Sequence, residues 1–157
     1  MPTADPTESG RNETELERAD RNLMELLGGL RVALPGVQVL FAFLLVVPFN
    51  SNFDEVTSFQ KNVYFGTLLC TAIASTFLIA PSVHHRLLFR KQAKEELVVT
   101  ANWLALVGLA FLAPANIGVL LLVTDFLFGA VEAILVTGLA AVLMFLVWLV
   151  LPLRLRG

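Results

Sequence analysis

From residue 32 onward the chain consists of long apolar runs separated by short polar breaks, with no two-residue alternation. Four runs stand out, at about 32–49 ("VALPGVQVLFAFLLVVPF"), 59–80 ("FQKNVYFGTLLCTAIASTFLIA"), 97–123 and 130–151. A helix needs roughly 20 residues to cross ~30 Å of hydrocarbon, and each run approaches or exceeds that length. A membrane barrel would alternate lipid-facing and lumen-facing residues, which these runs do not. The pattern therefore predicts an all-α fold, a four-helix transmembrane bundle occupying 31–153.

Local signals agree with these limits. Thr57-Ser58-Phe59-Gln60 has the spacing of a capping box, in which hydroxyl and amide satisfy N–H groups left over at a helix start. Pro48, Pro81 and Pro152 fall at or near span ends, where a missing N–H does little harm. Pro35 and Pro114 fall inside, where kinks are expected and neighbours must satisfy the freed carbonyls.

Ahead of the first run, residues 1–13 have no apolar pattern and read as a disordered tail. Thr14-Glu15-Leu16-Glu17 offers a second capping box, and Leu16, Ala19, Leu23, Leu26, Leu27 and Leu30 follow at helical spacing. Residues 14–30 are thus expected to form an amphipathic cytoplasmic helix on the inner leaflet, broken or bent at Gly28-Gly29. The acidic first half of that helix argues against tight docking on anionic lipid.

Composition sharpens the membrane reading. Apolar residues make up 57% of the 157 and charged ones only 15%, with mean hydropathy +0.76. A soluble chain this small leaves too much surface in water to hide that much apolar area. Four spans divide the polar segments between two sides, and ten of the eleven Lys and Arg fall with the termini and the 81–96 loop. Lys61 stands alone on the other side, beside Asp54, Glu55, Asp125 and Glu132. The positive-inside rule then puts both termini in the cytoplasm of a bacterial cell, with residues 154–157 as a basic tail. Trp103 and Trp148 near the inner boundary and Tyr64 near the outer one fit an aromatic belt. Cys70 is the one cysteine, so the chain has no disulfide framework, and it reads as a small packing residue.

Polar side chains in hydrocarbon carry a cost unless paired, so the few present are informative. Gln38 lies roughly 10 Å past Arg31 and Asn102 about 9 Å past Glu96, at 1.5 Å per residue. Matched depths predict a Gln38–Asn102 hydrogen bond joining spans 1 and 3. Glu132 is expected to sit in the first turn of span 4, stabilised by the helix dipole, or to face the bundle towards Tyr64 or Asn116. Asp125 is expected to cap the same turn. His84 and His85 are adjacent, about 100° apart on a helix, so an interfacial role outweighs metal binding or pH sensing. Arg90 with Lys94 and Lys91 with Glu95 share faces if the loop is helical.

Small residues mark packing surfaces. Span 4 carries Gly129, Ala133, Thr137 and Ala141 at every fourth position, and span 2 carries the rows Thr67, Thr71, Ser75 and Ala72, Thr76, Ala80. Such rows let backbones approach closely, so spans 2 and 4 are expected to make the tightest contacts, within the bundle or between copies. The hydroxyls are expected to bond back to their own helix carbonyls.

The blocks "ELLGGLRVALPGVQVLFAFLLVVPF", "FQKNVYFGTLLC" and "IAPSVHHRLLFRKQAKEELVVTANWLALVGLAFLA" resemble a family of small actinobacterial membrane proteins, domain of unknown function 6328, over roughly residues 22–128. The resemblance rests on Glu25, Leu30-Arg31-Val32, Gly36, Gln38, Pro48-Phe49, His85-Arg86 and Phe89-Arg90. Some members of that family carry a sodium/proton antiporter designation, which implies cation–proton exchange but maps no ion-binding residue onto this chain. Antiporters place acids at broken helices near the midplane.

Two functions follow from these residues. The first is a non-enzymatic accessory or structural component, acting as a homo-oligomer or as a subunit of a larger membrane complex. The second is a small cation or proton transporter using an inner cluster of Glu25, Arg31, Gln38, His84, His85 and Asn102 with Glu132 as its outer protonatable group. No paired carboxylates, metal triad or base-activated nucleophile points to an enzyme or a cofactor. The basic run matches no nucleic-acid motif, and its natural partner is the lipid bilayer.

Overall fold

The computed structural model describes residues 15–50, 56–88 and 94–155. The regular structure in them is helical: α1 (Glu15–Val46) with a 3-10 turn at Val47–Phe49, α2 (Ser58–Leu88), α3 (Lys94–Phe128) and α4 (Ala130–Phe145). After Phe145 the chain passes through a π-helical turn, Leu146–Val150, into a last helical turn, Leu151–Arg154. Four helices are long and apolar enough to cross a membrane. The expected tail at 1–13, the Thr14 cap and the Arg90 and Lys91 pairings lie outside the described residues.

Burial on the first three helices repeats every seven residues. On α1 the buried side chains are Leu23, Leu30, Val37 and Leu44. On α2, Tyr64, Thr71 and Leu78 form one such row and Thr67, Ala74 and Pro81 a second. A seven-residue period keeps one seam facing its neighbours when helices coil about each other in the left-handed sense. The seam explains two departures from expectation. First, α1 is one helix through Gly28, Gly29 and Pro35, with no break before Arg31. Its N-terminal apolar face packs on α3, where Leu23 clusters with Leu97 and Ala101 beside Leu26 and Leu27. Second, α2 runs eight residues beyond Ala80, with Pro81 fully buried inside it. In both places packing outweighs local helix-breaking tendency, as is usual for helices in folded proteins.

The helices alternate in direction. Leu30 and Val37 of α1 meet Leu78 of α2 and Ala105 of α3 in a central cluster, while Leu44 meets Tyr64 near the opposite end. The most extensive contact joins α2 to α3. There a Cβ on Gly108 would lie 2.6 Å from Leu78 Cγ and 3.2 Å from the Ala74 carbonyl oxygen. One on Gly118 would overlap Thr67 Oγ1 and lie 3.2 Å from Thr67 Cβ. Helix α4 packs on α3 and touches neither α1 nor α2, so spans 2 and 4 do not share an interface. Of the α4 row, Ala133 and Thr137 are buried and Ala141 is half-buried. Gly129 does something else. With φ +103° it is the single residue between α3 and α4, a backbone conformation open to glycine. The expected loop at 124–129 is absent because α3 continues through the apolar stretch to Phe128.

The prolines are accommodated one by one. Pro48 has no N–H to offer the carbonyl four residues back, that of Leu44. The Tyr64 hydroxyl donates to that carbonyl instead. Tyr64 is consequently buried and does not serve as a boundary anchor, whereas Trp103 and Trp148 face outward. Ahead of Pro152 the helix widens by one residue, the Leu151 N–H donating to Leu146 O, five positions back. At the start of α2 the predicted capping box is formed: the Thr57 N–H donates to Gln60 Oε1 (3.0 Å) and the Gln60 N–H to Thr57 Oγ1 (3.2 Å).

Candidate functional site

The six residues of the inner cluster do not converge. Glu25 is exposed and 3.9 Å from Arg21, one turn earlier on the same helix, and an exposed pair of that kind contributes little. Arg31 and Asn102 are exposed. His84 Nδ1 is 2.9 Å from the Ala80 carbonyl oxygen, to which the ring donates, and the neighbouring His85 is half-buried. Among the described residues no group of three or more His, Cys, Asp or Glu is placed to hold a metal ion.

Gln38 takes a partner other than the predicted one. Its Nε2 donates to Ser75 Oγ on α2 at 2.8 Å, so it bridges α1 to α2 and makes no bond to Asn102. The depth match fails because Arg31 and Glu96 do not lie at one level. Leu97 and Ala101 are level with Leu23, which puts Asn102 about 15 Å below Gln38 along α1 at 1.5 Å per residue. Gln38→Leu is expected to lower stability in detergent by only about 0.6 kcal/mol, the average for such bonds in membrane proteins. A chemical-unfolding midpoint compared with that of the parent chain checks it.

Three hydroxyls bond back to their own helix as expected: Thr67 to Val63 O (2.7 Å), Thr71 to Thr67 O (2.8 Å) and Thr76 to Ala72 O (2.9 Å). Of the span 2 rows, Thr67, Thr71 and Ser75 face inward, while Thr76 is exposed.

At the opposite end Asp125 does not cap α4. It lies within α3, half-buried, and its Oδ2 accepts a 2.7 Å bond from Gln60 Nε2. Gln60 therefore caps its own helix with one amide atom and fastens α2 to α3 with the other. Glu132 is in the first turn of α4 and exposed, with Oε2 3.8 Å from where a Cβ on Gly129 would be. The carboxylate thus curls back over the helix start, where the unpaired N–H groups and the dipole favour it; it bonds neither Tyr64 nor Asn116. Beside Gln60 opens a cleft of about 550 Å³ between α1, α2 and α3, with apolar walls that include Phe43, Leu44, Leu122 and Phe126. Tyr64 and Asn50 add two of its few polar groups.

Three features were not singled out in the sequence: Gly108 and Gly118 at the α2 contact, and the Gln60–Asp125 bridge. The glycines have a visible signal, because Ala101, Ala105, Gly108, Ala115 and Gly118 follow steps of four, three, seven and three, the rhythm of a seam.

Residues 12–152 match the model of a family described as a family of unknown function, DUF6328, and the chain belongs to that family. The match is wider than the 22–128 carried by the quoted blocks and takes in α4. No curated protein and no solved structure matches the chain.

Proposed function

We propose that this member of the DUF6328 family is a multi-pass membrane protein with a non-enzymatic, structural or accessory role, acting through helix packing. Bilayer placement follows from the levels set by the helix contacts. Arg31, Pro81 and Ala105 lie near one plane, because Leu30, Leu78 and Ala105 share a cluster. About 20 residues further along each helix, the length that crosses hydrocarbon, come Asn50, Lys61 and Asp125. All three helices thus meet the second boundary at a polar residue. On the first side α1, α2 and α3 project beyond the membrane as a stub cored by Leu23, Leu97 and Ala101. Glu25, His84, His85 and Asn102 then stand in water, where they need no partner. The basic loop and both termini share that side, which the positive-inside rule makes cytoplasmic.

The observation that carries the reading is the fate of the polar groups at hydrocarbon level. Gln38, Ser75, Thr67, Thr71 and Tyr64 are engaged in bonds within or between helices, and the cleft beside Gln60 has apolar walls. An ion path needs groups left available to the ion. Helix α4 meanwhile offers exposed Leu135, Leu139, Val142 and Leu146 to a second copy or another membrane protein. Proteoliposomes with an internal pH dye are expected to respond to a sodium gradient no faster than empty liposomes. A sodium-dependent signal that disappears in Glu132→Gln would overturn the accessory role and restore cation–proton exchange.

A further inference from the structure

We propose that the cleft between α1, α2 and α3 is a binding site for an amphiphile with an alkyl chain and a cationic head. Its dimensions argue for the chain. The cleft runs from Leu40 to Asn50 along α1, about 15 Å at 1.5 Å per residue, which is half of the ~30 Å hydrocarbon thickness. It therefore spans one leaflet and ends at the boundary plane of Asn50, Lys61 and Asp125. A volume of about 550 Å³ lies within the usual range for small-ligand sites. Its walls are apolar over almost their whole length, and its mouth is open sideways past Phe43 and Phe126, which are 70% and 69% exposed.

Charge argues for the head. Both amide atoms of Gln60 are occupied, Oε1 by the Thr57 N–H and Nε2 by Asp125 Oδ2. Asp125 Oδ1 takes no bond from a described residue, so this carboxylate keeps an acceptor at the polar end of the cleft. A half-buried carboxylate at the edge of a low-dielectric region attracts a cation more strongly than one in water does. Phe43, Tyr64 and Phe126 supply ring faces that suit an ammonium group as well. An anionic head would meet the carboxylate as a like charge, and a neutral one would gain only the apolar walls.

The site rests on the bilayer placement above and not on the accessory role, so a positive flux result would remove that role and leave the site standing. The test titrates the full chain in phosphatidylcholine nanodiscs with dodecyltrimethylammonium, dodecyl sulfate and dodecanol, read by calorimetry against empty discs. Saturable binding is expected for the cation, weakened about tenfold in Asp125→Asn, the loss of one charge-assisted contact. Asparagine retains an acceptor for Gln60 Nε2, and an unchanged thermal midpoint would show that the fold survives. Leu122→Phe, which narrows the cleft, is expected to weaken dodecanol and the cation alike. The proposal is overturned if the cation shows no saturable component beyond empty discs, if Asp125→Asn binds it equally well, or if the sulfate binds as tightly.

Discussion

Gly118→Val is expected to destabilise the folded chain in detergent by about 3 kcal/mol, the upper end of the range for overpacking a filled core. No other described glycine faces a closer neighbour: the added Cβ overlaps Thr67 Oγ1 and stands 3.2 Å from Thr67 Cβ. Rotating the hydroxyl away does not relieve the second contact, and it also breaks the 2.7 Å bond to Val63 O. Nor can α3 back off without opening the rest of the α2 seam, where Gly108 sits against Leu78 and the Ala74 carbonyl. Lipid offers no hydrophobic drive to hold separated helices together, so close backbone approach carries much of the association. Thermal or chemical unfolding of Gly118→Ala, Gly118→Val and Gly118→Ala with Thr67→Ala checks the cause. Loss should grow from alanine to valine, and the double variant should recover part of it. An unaltered midpoint for Gly118→Val would mean that α2 and α3 are further apart than described.

Tyr64→Phe is expected to cost about 1–3 kcal/mol, the penalty for leaving a buried acceptor without its donor. The size comes from what lies at the other end of the bond. Leu44 O lost its helical donor to Pro48, and in hydrocarbon no water replaces it. Restoring a backbone donor with Pro48→Ala should therefore shrink the effect of Tyr64→Phe, a coupling that a double-mutant cycle reads directly. If the two substitutions add without interaction, the hydroxyl is not serving that carbonyl.

Much of the architecture is legible in the residues because lipid imposes strong patterning. Four apolar runs become four helices, and the Thr57–Gln60 box closes as its spacing predicts. Helix limits are less legible. Gly28-Gly29 and Pro81 are local breakers, but the seven-residue rows through Leu30 and Leu78 continue across both, and long-range packing decides. Depth counted from the nearest charge also misleads. Arg31 and Glu96 are equivalent as charges but lie at different heights, so Gln38 meets Ser75 and Asn102 is left outside. A search for small residues at every fourth position finds the α4 row and overlooks Gly108 and Gly118, whose steps alternate between three and four. Rotation about each helix axis, which decides whether Asp125 looks at α4 or at Gln60, is set by neighbours that no single run records.

Cysteine accessibility on intact cells tests the bilayer placement most directly. In a Cys70→Ala background, Lys61→Cys should react with an impermeant maleimide added outside. Asn102→Cys and Arg154→Cys should react only after the membrane is permeabilised, with Asn102→Cys fully reactive then because it sits on a water-facing stub. Labelling of Asn102→Cys from outside would reverse the topology, and its silence even after permeabilisation would put that residue in lipid and remove the stub.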